Sequence, residues 1–367
     1  MAPHDIQHMA RALVLAERGR GRTSPNPMVG AVVVDDEDVV VGRGSHEFAG
    51  GPHAEIHAFA DAGTRARGAT LYCTLEPCNH TGRTGPCAPN VVAAGIRRAV
   101  IASEDPNPRV QGRGLAYLRD HGVEVCVGVM REAAERLNAP FFTVMRLRRP
   151  FVTMKVALSR EGFVAGPGGQ RVQLTGPAAN RFIHRERAEV DALAVGSGTV
   201  LVDDPALTAR GAYRTRPLVR VVFDRGLRTP PGARLLATAA AGPIIVIGAD
   251  SADAGALERA EALQAAGARI ELIPAQRPEG FLSGAMSRLA ELGVSSVVLE
   301  GGPRLHAAMW KANLVDRVQV FKTAAVVGAD GVGWLDPAIF SAAVLEDVST
   351  LRLGDDELMQ GYVHRAR

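Results

Sequence analysis

The sequence predicts two successive α/β units, each a sheet of short strands layered with helices. Three observations carry that expectation. The chain has 367 residues, more than one ordinary domain holds. Short β-branched runs alternate with segments of helical periodicity throughout. The alternation is interrupted at RLRRP (146–150), a basic, proline-ended stretch, after which a fresh strand pattern, FVTMKVAL, begins. The units are therefore bounded as 1–146 and 147–367.

In the first unit, residues 4–18 place Ile6, Met9, Ala10, Leu13 and Ala16 near one face and predict a helix. VGAVVVD predicts a strand, 53–62 a helix, and ATLYCTL a strand. A helix follows Pro86, then the strand RRAVIA, the helix GLAYLRDHG and the strand VEVCVGV. In the second unit a helix is predicted over 177–188, followed by the strand-like runs DALAVGSGTVL, LVRVVFD and PIIVIG. A helix ending at Ala266, the strand ARIELI, a helix over 283–292, SSVVLEGGP, a helix to Lys311 and the strand VDRVQVF complete the pattern.

Composition narrows the function. The formal charge is only +3, and three of the 42 basic residues are lysines, so neither a nucleic-acid groove nor a polybasic membrane surface is expected. Aromatic residues make up 5% of the chain, too few for base-stacking platforms. The N-terminal stretch lacks a charged leader before an apolar run, and no window reaches 18 uninterrupted apolar residues, so a cytoplasmic protein without a membrane span is expected. Of four cysteines, Cys73 and Cys126 lie in apolar strand-like runs and read as core thiols.

The other two belong to a chemical pattern. Residues 53–87 read HAEIHAFADAGTRARGATLYCTLEPCNHTGRTGPC. Catalytic zinc takes three imidazole or thiolate ligands and leaves its fourth position to water, whose pKa it lowers from about 16 to about 7. His53, Cys78 and Cys87 supply three such ligands. Glu55, two residues after His53, is the carboxylate that can carry the water's proton to a leaving amine. H-x-E followed by P-C is the signature of zinc deaminases, although eight residues rather than two separate the cysteines here. Gly82, Gly85 and Pro86 favour a turn that returns Cys87 to the metal. His80 and His57 are rival ligands; His80 reads better as a substrate contact and His57 as a helix-packing residue. His53 after Gly51-Pro52 and Cys78 after Pro77 are both expected at helix starts, where the positive helix end favours thiolate.

The runs TSPNPMVGAVVV, GPHAEIHA, TLYCTLEPCNHTGRTGPC and DPNPRVQGRG together resemble the bifunctional riboflavin-biosynthesis deaminase/reductase family. The resemblance implies a cytidine-deaminase-like three-layer first unit. It implies zinc on His53, Cys78 and Cys87, with Glu55 as proton shuttle. The substrate would be a diamino-hydroxy-pyrimidinone bearing a phosphoribosylamino group, losing ring ammonia by hydrolysis, with Asn26, His46, His80 and Arg83 as its contacts. A homo-oligomer is expected.

The second unit contains no G-x-G-x-x-G, so a dinucleotide needs another seat. Residues 296–302 form a strand running into Gly301-Gly302-Pro303 and a helix, which exposes amides that can hold a pyrophosphate; the same pattern also suits a plain turn. Residues 196–210, GSGTVLVDDPALTAR, read alone as a loop with Asp204 capping a turn. With Lys155 these segments resemble the family's reductase half, which is dihydrofolate-reductase-like in fold and uses NADPH to convert ribose to ribitol. The resemblance implies cofactor contacts at Leu158, Gln173, Thr199, Asp203, Gly302, Pro303, Arg304, Leu305, His306, Ala307 and Ala308. It implies substrate contacts at Arg171, Arg187, Leu207, Arg210 and Glu300, with Arg187 and Arg210 suited to fork onto phosphate. Lys155, Asp203 and Glu300 are the catalytic candidates. The sequence departs from the family at three places: Ser159-Arg160-Glu161-Gly162 stands for S-L-D-G, Gln173-Leu174-Thr175 for W-I-T, and the segment 323–328, TAAVVG, for A-P-K-x-x-G. The competing reading is a single-activity deaminase with a decayed or repurposed second unit.

Overall fold

In this computed structural model the described residues are 3–79, 85–250, 254–274, 278–335, 339 and 344–364. The chain divides into two compact units, Met1–Arg148 and Arg149–Arg367. The boundary expected after residue 146 falls in the last turn of a helix that ends at Leu147.

The first unit carries strands β1 (Gly30–Val34), β2 (Val40–Ser45), β3 (Thr70–Leu75), β4 (Arg98–Ser103) and β5 (Glu124–Val127) in the order β2-β1-β3-β4-β5. Its helices are α1 (Pro3–Ala16), α2 (Ala54–Ala62), α3 (Cys87–Ala93), α4 (Arg113–Asp120), α5 (Arg131–Leu137) and α6 (Ala139–Leu147). β1 runs antiparallel to β2 and β3, while β3, β4 and β5 are parallel. Both faces are covered. Ala31, Val33, Leu71, Cys73 and Ile101 pack against Ala54, Ala58, Val91 and Leu118 of α2, α3 and α4. The alternate residues Val32, Val34, Tyr72 and Val100 pack against Met9, Ala12 and Ala134 of α1 and α5. This is why the strands read as unbroken apolar runs. Each fully buried Val or Leu contributes about 1.5–3 kcal/mol. The buried Tyr72 hydroxyl donates to Asp5 at 2.9 Å, and Arg98 holds the same carboxylate at 2.7 and 3.1 Å.

β2 is a strand that periodicity does not reveal, because Gly42, Arg43 and Gly44 break its apolar run. The glycines serve packing: a Cβ at Gly44 would stand 2.0 Å from the Ala54 carbonyl oxygen, so only glycine lets the start of α2 lie on this strand. A second fixture lies at the end of β3. The buried Glu76 carboxylate accepts backbone N–H groups of Asp105, Gly112, Gly114 and Leu115 at 2.9–3.3 Å, tying the 104–113 loop and the start of α4 to the strand.

The second unit is a nine-stranded sheet with a separate two-stranded ribbon. Its strands are β6 (Phe151–Leu158), β7 (Phe163–Ala165), β8 (Ala192–Gly196), β9 (Val219–Phe223), β10 (Ile244–Asp250), β11 (Arg269–Pro274), β12 (Ser296–Leu299), β13 (Arg317–Lys322), β14 (Val332–Gly333), β15 (Leu345–Leu353) and β16 (Asp356–Val363). The order is β11-β10-β9-β8-β12-β6-β13-β16-β15, with β7 and β14 pairing apart. It is parallel from β11 to β13 and antiparallel beyond. Helices α7 (Pro177–Glu189), α8 (Ser197–Asp203), α9 (Arg234–Ala237), α10 (Ala254–Ala265), α11 (Pro278–Glu291) and α12 (Pro303–Lys311) connect the strands. Val152, Met154 and Val221 face one core; Leu193, Val195, Val222 and Val298 face another.

The run expected as one strand over 191–201 divides in two. β8 stops at Gly196, level with Phe223 at the end of β9, while β12 ends at Leu299 opposite Ala194, and the chain then turns into α8. α8 buries Val200 and ends at Asp204 in the left-handed region, φ 40°, with its Oδ1 accepting the Arg234 N–H at 2.7 Å. Residues 196–203 are thus a strand end and a short helix, where a loop was the alternative expectation.

Replacing Glu76 by Ala is expected to leave four buried amides without their acceptor and lower the stability of the first unit by about 3 kcal/mol, read from urea unfolding. A loss below about 1 kcal/mol would show that the loop is held by other contacts.

Candidate functional site

The metal ligands come from three connections on one edge of the first sheet. His53 is the residue before α2, in extended conformation, and Cys87 opens α3 after Pro86. Cys78 does not open a helix as the sequence suggested; it lies in the loop after β3. The first amides of α3 reach back to it instead. The Ala88 N–H donates to the Cys78 carbonyl at 3.0 Å, and the Cys87 N–H to the Cys78 sulfur at 3.4 Å, so the positive end of α3 favours the thiolate from across the loop. His53 Nδ1 stands 3.1 Å from Cys87 Sγ and 3.6 Å from Cys78 Sγ, and the three ligand atoms all lie within 4.8 Å of one another. A tetrahedral zinc ion with ordinary bond lengths sets nitrogen-to-sulfur edges of about 3.6 Å, so the donor set fits it. His57 is not in this cluster, and His80 and Arg83 lie outside the described residues.

The surrounding groups complete the polar side of the pocket. Glu55, in the first turn of α2, is 3% exposed; burial pushes its carboxyl up and the adjacent His53 opposes that. The hydrogen bond to Cys78 raises the pKa of His53. Cys78 is held well below the usual thiol range by its hydrogen bond with Cys87, while Cys87, facing that sulfur and buried, is pushed up. The Nδ1 of His46 donates to the Pro52 carbonyl at 3.0 Å, which leaves Nε2 to accept from Asn26 Nδ2 at 3.2 Å. Its ring meets that of His53 edge-on, centroids 5.5 Å apart, and burial lowers its pKa, keeping it neutral. The structure therefore brings Asn26, His46, His53 and Glu55 together. It adds Asp105, which sequence reasoning passed over: burial, with Glu76 and Cys78 nearby, pushes this carboxyl up to about 7. The signal was the DPNP run itself, whose polar residues follow the end of β4.

In the second unit a cleft of about 970 Å³ opens at the carboxyl ends of β6, β8 and β12. This is the edge where open α/β sheets bind ligands. Lys155 and Glu300 sit at its centre with Arg187. Arg187 donates to both Glu300 oxygens, at 2.9 and 2.5 Å, and to the Thr208 carbonyl at 3.1 Å. Its fork is thus closed on a carboxylate and is not the free phosphate fork that the sequence suggested. Burial favours a neutral Glu300, but the charges of Arg187 and Lys155 outweigh it and hold the carboxyl at about 2. Burial pulls the Lys155 pKa down, with Glu300 opposing.

The walls follow the expectations with four exceptions. Thr199 and Asp203 of α8, Arg171, Gln173 and Arg210 line the cleft, as do Gly302, Pro303, Arg304, Leu305 and Ala308. Burial raises the Asp203 pKa and Arg171 counters it. Leu158 packs against the hydrophobic core, and Leu207, with φ 50°, is buried in another. His306 lies buried beneath α12, and Ala307 is exposed outside the cleft. A helix presents only one side to a groove, so the run 302–308 cannot contact a ligand throughout. Gly302 and Thr199 face one another between α8 and α12, where a Cβ at Gly302 would lie 3.8 Å from Thr199 Oγ1. His184, Asn180, Ser197, Arg225, Arg228 and Trp334 also line the cleft and were not singled out from sequence. The departures from the family pattern are coupled in space. Glu161 accepts the N–H groups of Val327 and Gly328, both at 3.2 Å, and the Arg160 N–H donates to the Ala325 carbonyl at 2.8 Å.

Comparison with known proteins agrees with this geometry. Residues 3–103 match the cytidine and deoxycytidylate deaminase zinc-binding region, and residues 150–359 match the RibD C-terminal domain. The chain is 40% identical over 325 residues to riboflavin biosynthesis protein RibD of Aquifex aeolicus, covering 88% of each chain. It is 39% identical over 341 residues to the Escherichia coli protein of the same name, covering 90% of each. The solved structure of Acinetobacter baumannii RibD superposes with a TM-score of 0.85 at 31% identity over 99% of both chains. The diaminohydroxyphosphoribosylaminopyrimidine deaminase/5-amino-6-(5-phosphoribosylamino)uracil reductase of Thermotoga maritima gives 0.80 at 31% identity, covering 98% of this chain and 99% of that one. The chain belongs to the RibD family of riboflavin-biosynthesis enzymes, with a zinc-dependent deaminase unit followed by an NADPH-dependent reductase unit.

Proposed function

We propose that the first unit removes ring ammonia from a diamino-hydroxy-pyrimidinone bearing a phosphoribosylamino group, and that the second reduces the ribose of that product to ribitol. The observation that supports the first step is the three-ligand donor set with a buried, non-ligating carboxylate beside it. Zinc, when bound, supplies Lewis acidity to a water at its open fourth position. Glu55 takes a proton at its carboxylate and delivers it to the departing ammonia. His46 and Asn26, locked to one another, present a fixed hydrogen-bonding edge to the pyrimidinone.

For the second step NADPH supplies the hydride. The chain's own residues must orient the sugar C1′, exclude water and protonate the ring oxygen as it leaves. Lys155 is the group best suited to give that proton, since burial lowers its pKa while Glu300 keeps a counter-charge nearby. Arg187 positions Glu300. Arg210 and Arg171 remain to meet the phosphate. The alternative, a decayed second unit, is not favoured, because the cleft keeps Lys155, Arg187 and Glu300 together and residues 150–359 match the RibD C-terminal domain. Thiolate ligands and a reduced nicotinamide suit a reducing, cytoplasmic setting, and a homo-oligomer is the assembly we propose.

Three outcomes check these assignments. Cys87→Ser should lower zinc affinity by more than about a hundredfold, as metal analysis after dialysis would show; zinc retained at the wild-type level, with His80→Ala losing it, would transfer the ligand role. Glu55→Gln should keep zinc and lower ammonia release at least about a hundredfold, and unchanged release would make Glu55 structural. Lys155→Met should slow NADPH oxidation on the deaminated substrate at least about a hundredfold with NADPH affinity within a few-fold of wild type. A near-normal rate in that variant would place the proton source elsewhere.

A further inference from the structure

The cleft that Gln173 lines also carries aromatic side chains. Among the described residues, three aromatic side chains line the reductase cleft: Phe223, Phe281 and Trp334. Phe223 and Phe281 are buried, at 6% and 2% exposure, and belong to the core. Trp334 is half-buried; it packs partly against the same core and lines the cleft. It follows β14, and β14 pairs with β7, so a short ribbon carries the indole to the cleft. Phe163 of β7 fills the space a side chain at Gly331 would need: a Cβ there would meet the phenyl ring at 2.5 Å.

The indole is also fixed from behind. Its Nε1–H donates to His306 Nδ1 at 2.9 Å, with the two rings edge-on at 81° and 6.0 Å between centroids. His306 is 1% exposed, and burial pushes its pKa down to about 4, so the imidazole stays neutral and keeps Nδ1 as an acceptor. A tryptophan oriented by a buried histidine of α12 is a rigid surface, because the hydrogen bond to that acceptor restricts the rotation of its ring. Its place along the cleft is defined too. His306 lies one helical turn after Gly302, where the pyrophosphate seat begins, and close enough to Lys155 and Glu300 to feel both charges. The ribbon that carries the indole includes β7, which directly follows β6 and its Lys155, whereas Arg225 and Arg228 follow β9, three strands away in the sheet. Gln173, where the family pattern carries tryptophan, turns its amide to the Thr175 carbonyl at 2.9 Å and offers no ring.

We propose that Trp334 is the aromatic wall against which the nicotinamide ring of NADPH packs, in place of the aromatic residue missing at position 173. This rests on the reading of the cleft as the cofactor site. His306 is a positioning residue in this scheme and touches no ligand.

The test is a binding titration on the full chain with two probes, NADPH and adenosine 2′,5′-bisphosphate, which lacks the nicotinamide. Trp334→Ala should weaken NADPH about tenfold, while Trp334→Phe, which keeps a ring, should stay within about twofold. Both variants should bind the bisphosphate like wild type. In a Trp310→Phe background, where Trp334 is the remaining tryptophan, NADPH should quench the emission and the bisphosphate should not. Unchanged NADPH affinity in Trp334→Ala overturns the proposal, including the case where affinity for the pyrimidine substrate falls instead. A parallel loss of both probes also overturns it, because the damage would then lie in the α12 seat. If wild type binds neither probe, the reading of the cleft fails first.

Discussion

The inner strands of both sheets are buried on both faces, and that constraint decides where chemistry can occur. In the first unit Val33 and Val32 face opposite cores, and in the second Val221 and Val222 do the same. A polar side chain in the body of such a strand would need a partner inside hydrocarbon. Polar function is therefore concentrated at strand ends and the first turns of helices, with Lys155, inside β6 and facing Glu300, the exception. At those ends and turns, backbone amides are unpaired and the chain can leave the layer. Cys78 after β3 and Cys87 and His53 at helix starts obey this rule, as do Gly196, Glu300 and Gly302 in the second unit.

The two buried glutamates show how environment sets role. Glu55 has one neighbouring imidazole against full desolvation, and burial wins, so its carboxyl is raised toward the range where a proton can be taken and given back. Glu300 is equally enclosed but faces Arg187 and Lys155, and two cations reverse the sign. It remains a carboxylate and serves as a fixed charge. In the proposed mechanism the same residue type serves as proton carrier in one unit and as electrostatic anchor in the other.

Much of this was legible in the sequence where local rules dominate. Strands buried on both faces appear as apolar runs, and zinc restricts its ligands to few residue types, so β1, β3, β6 and the His53, Cys78, Cys87 set could be read directly. β2 could not, since its identity depends on Gly42 and Gly44 receiving α2. Nor could β15, exposed along most of its length and defined by its pairing with β16. The turn into α8 was hidden because β8 stops level with the end of β9, a strand distant in sequence. Site residues fared the same way: Arg187 and Glu300 are 113 positions apart, and their closed pair shows only in the fold. Glu76 and Asp105 act through the shape of one loop, which no spacing rule encodes.

Two of the departures from the family pattern lie against one another. Glu161 replaces an aspartate and meets the amides of Val327 and Gly328 in a segment that has itself changed. These contacts run to backbone groups, and the changed segments leave Lys155 and Glu300 lining the cleft. The central claim, that one chain performs the two reactions in order, is tested most directly by incubating it with zinc, NADPH and the diamino-hydroxy-phosphoribosylamino-pyrimidine while following ammonia and NADPH together. The account predicts equal amounts of ammonia released and NADPH oxidised, with ammonia leading. Ammonia release without any NADPH oxidation, or NADPH oxidation that precedes ammonia, would contradict it.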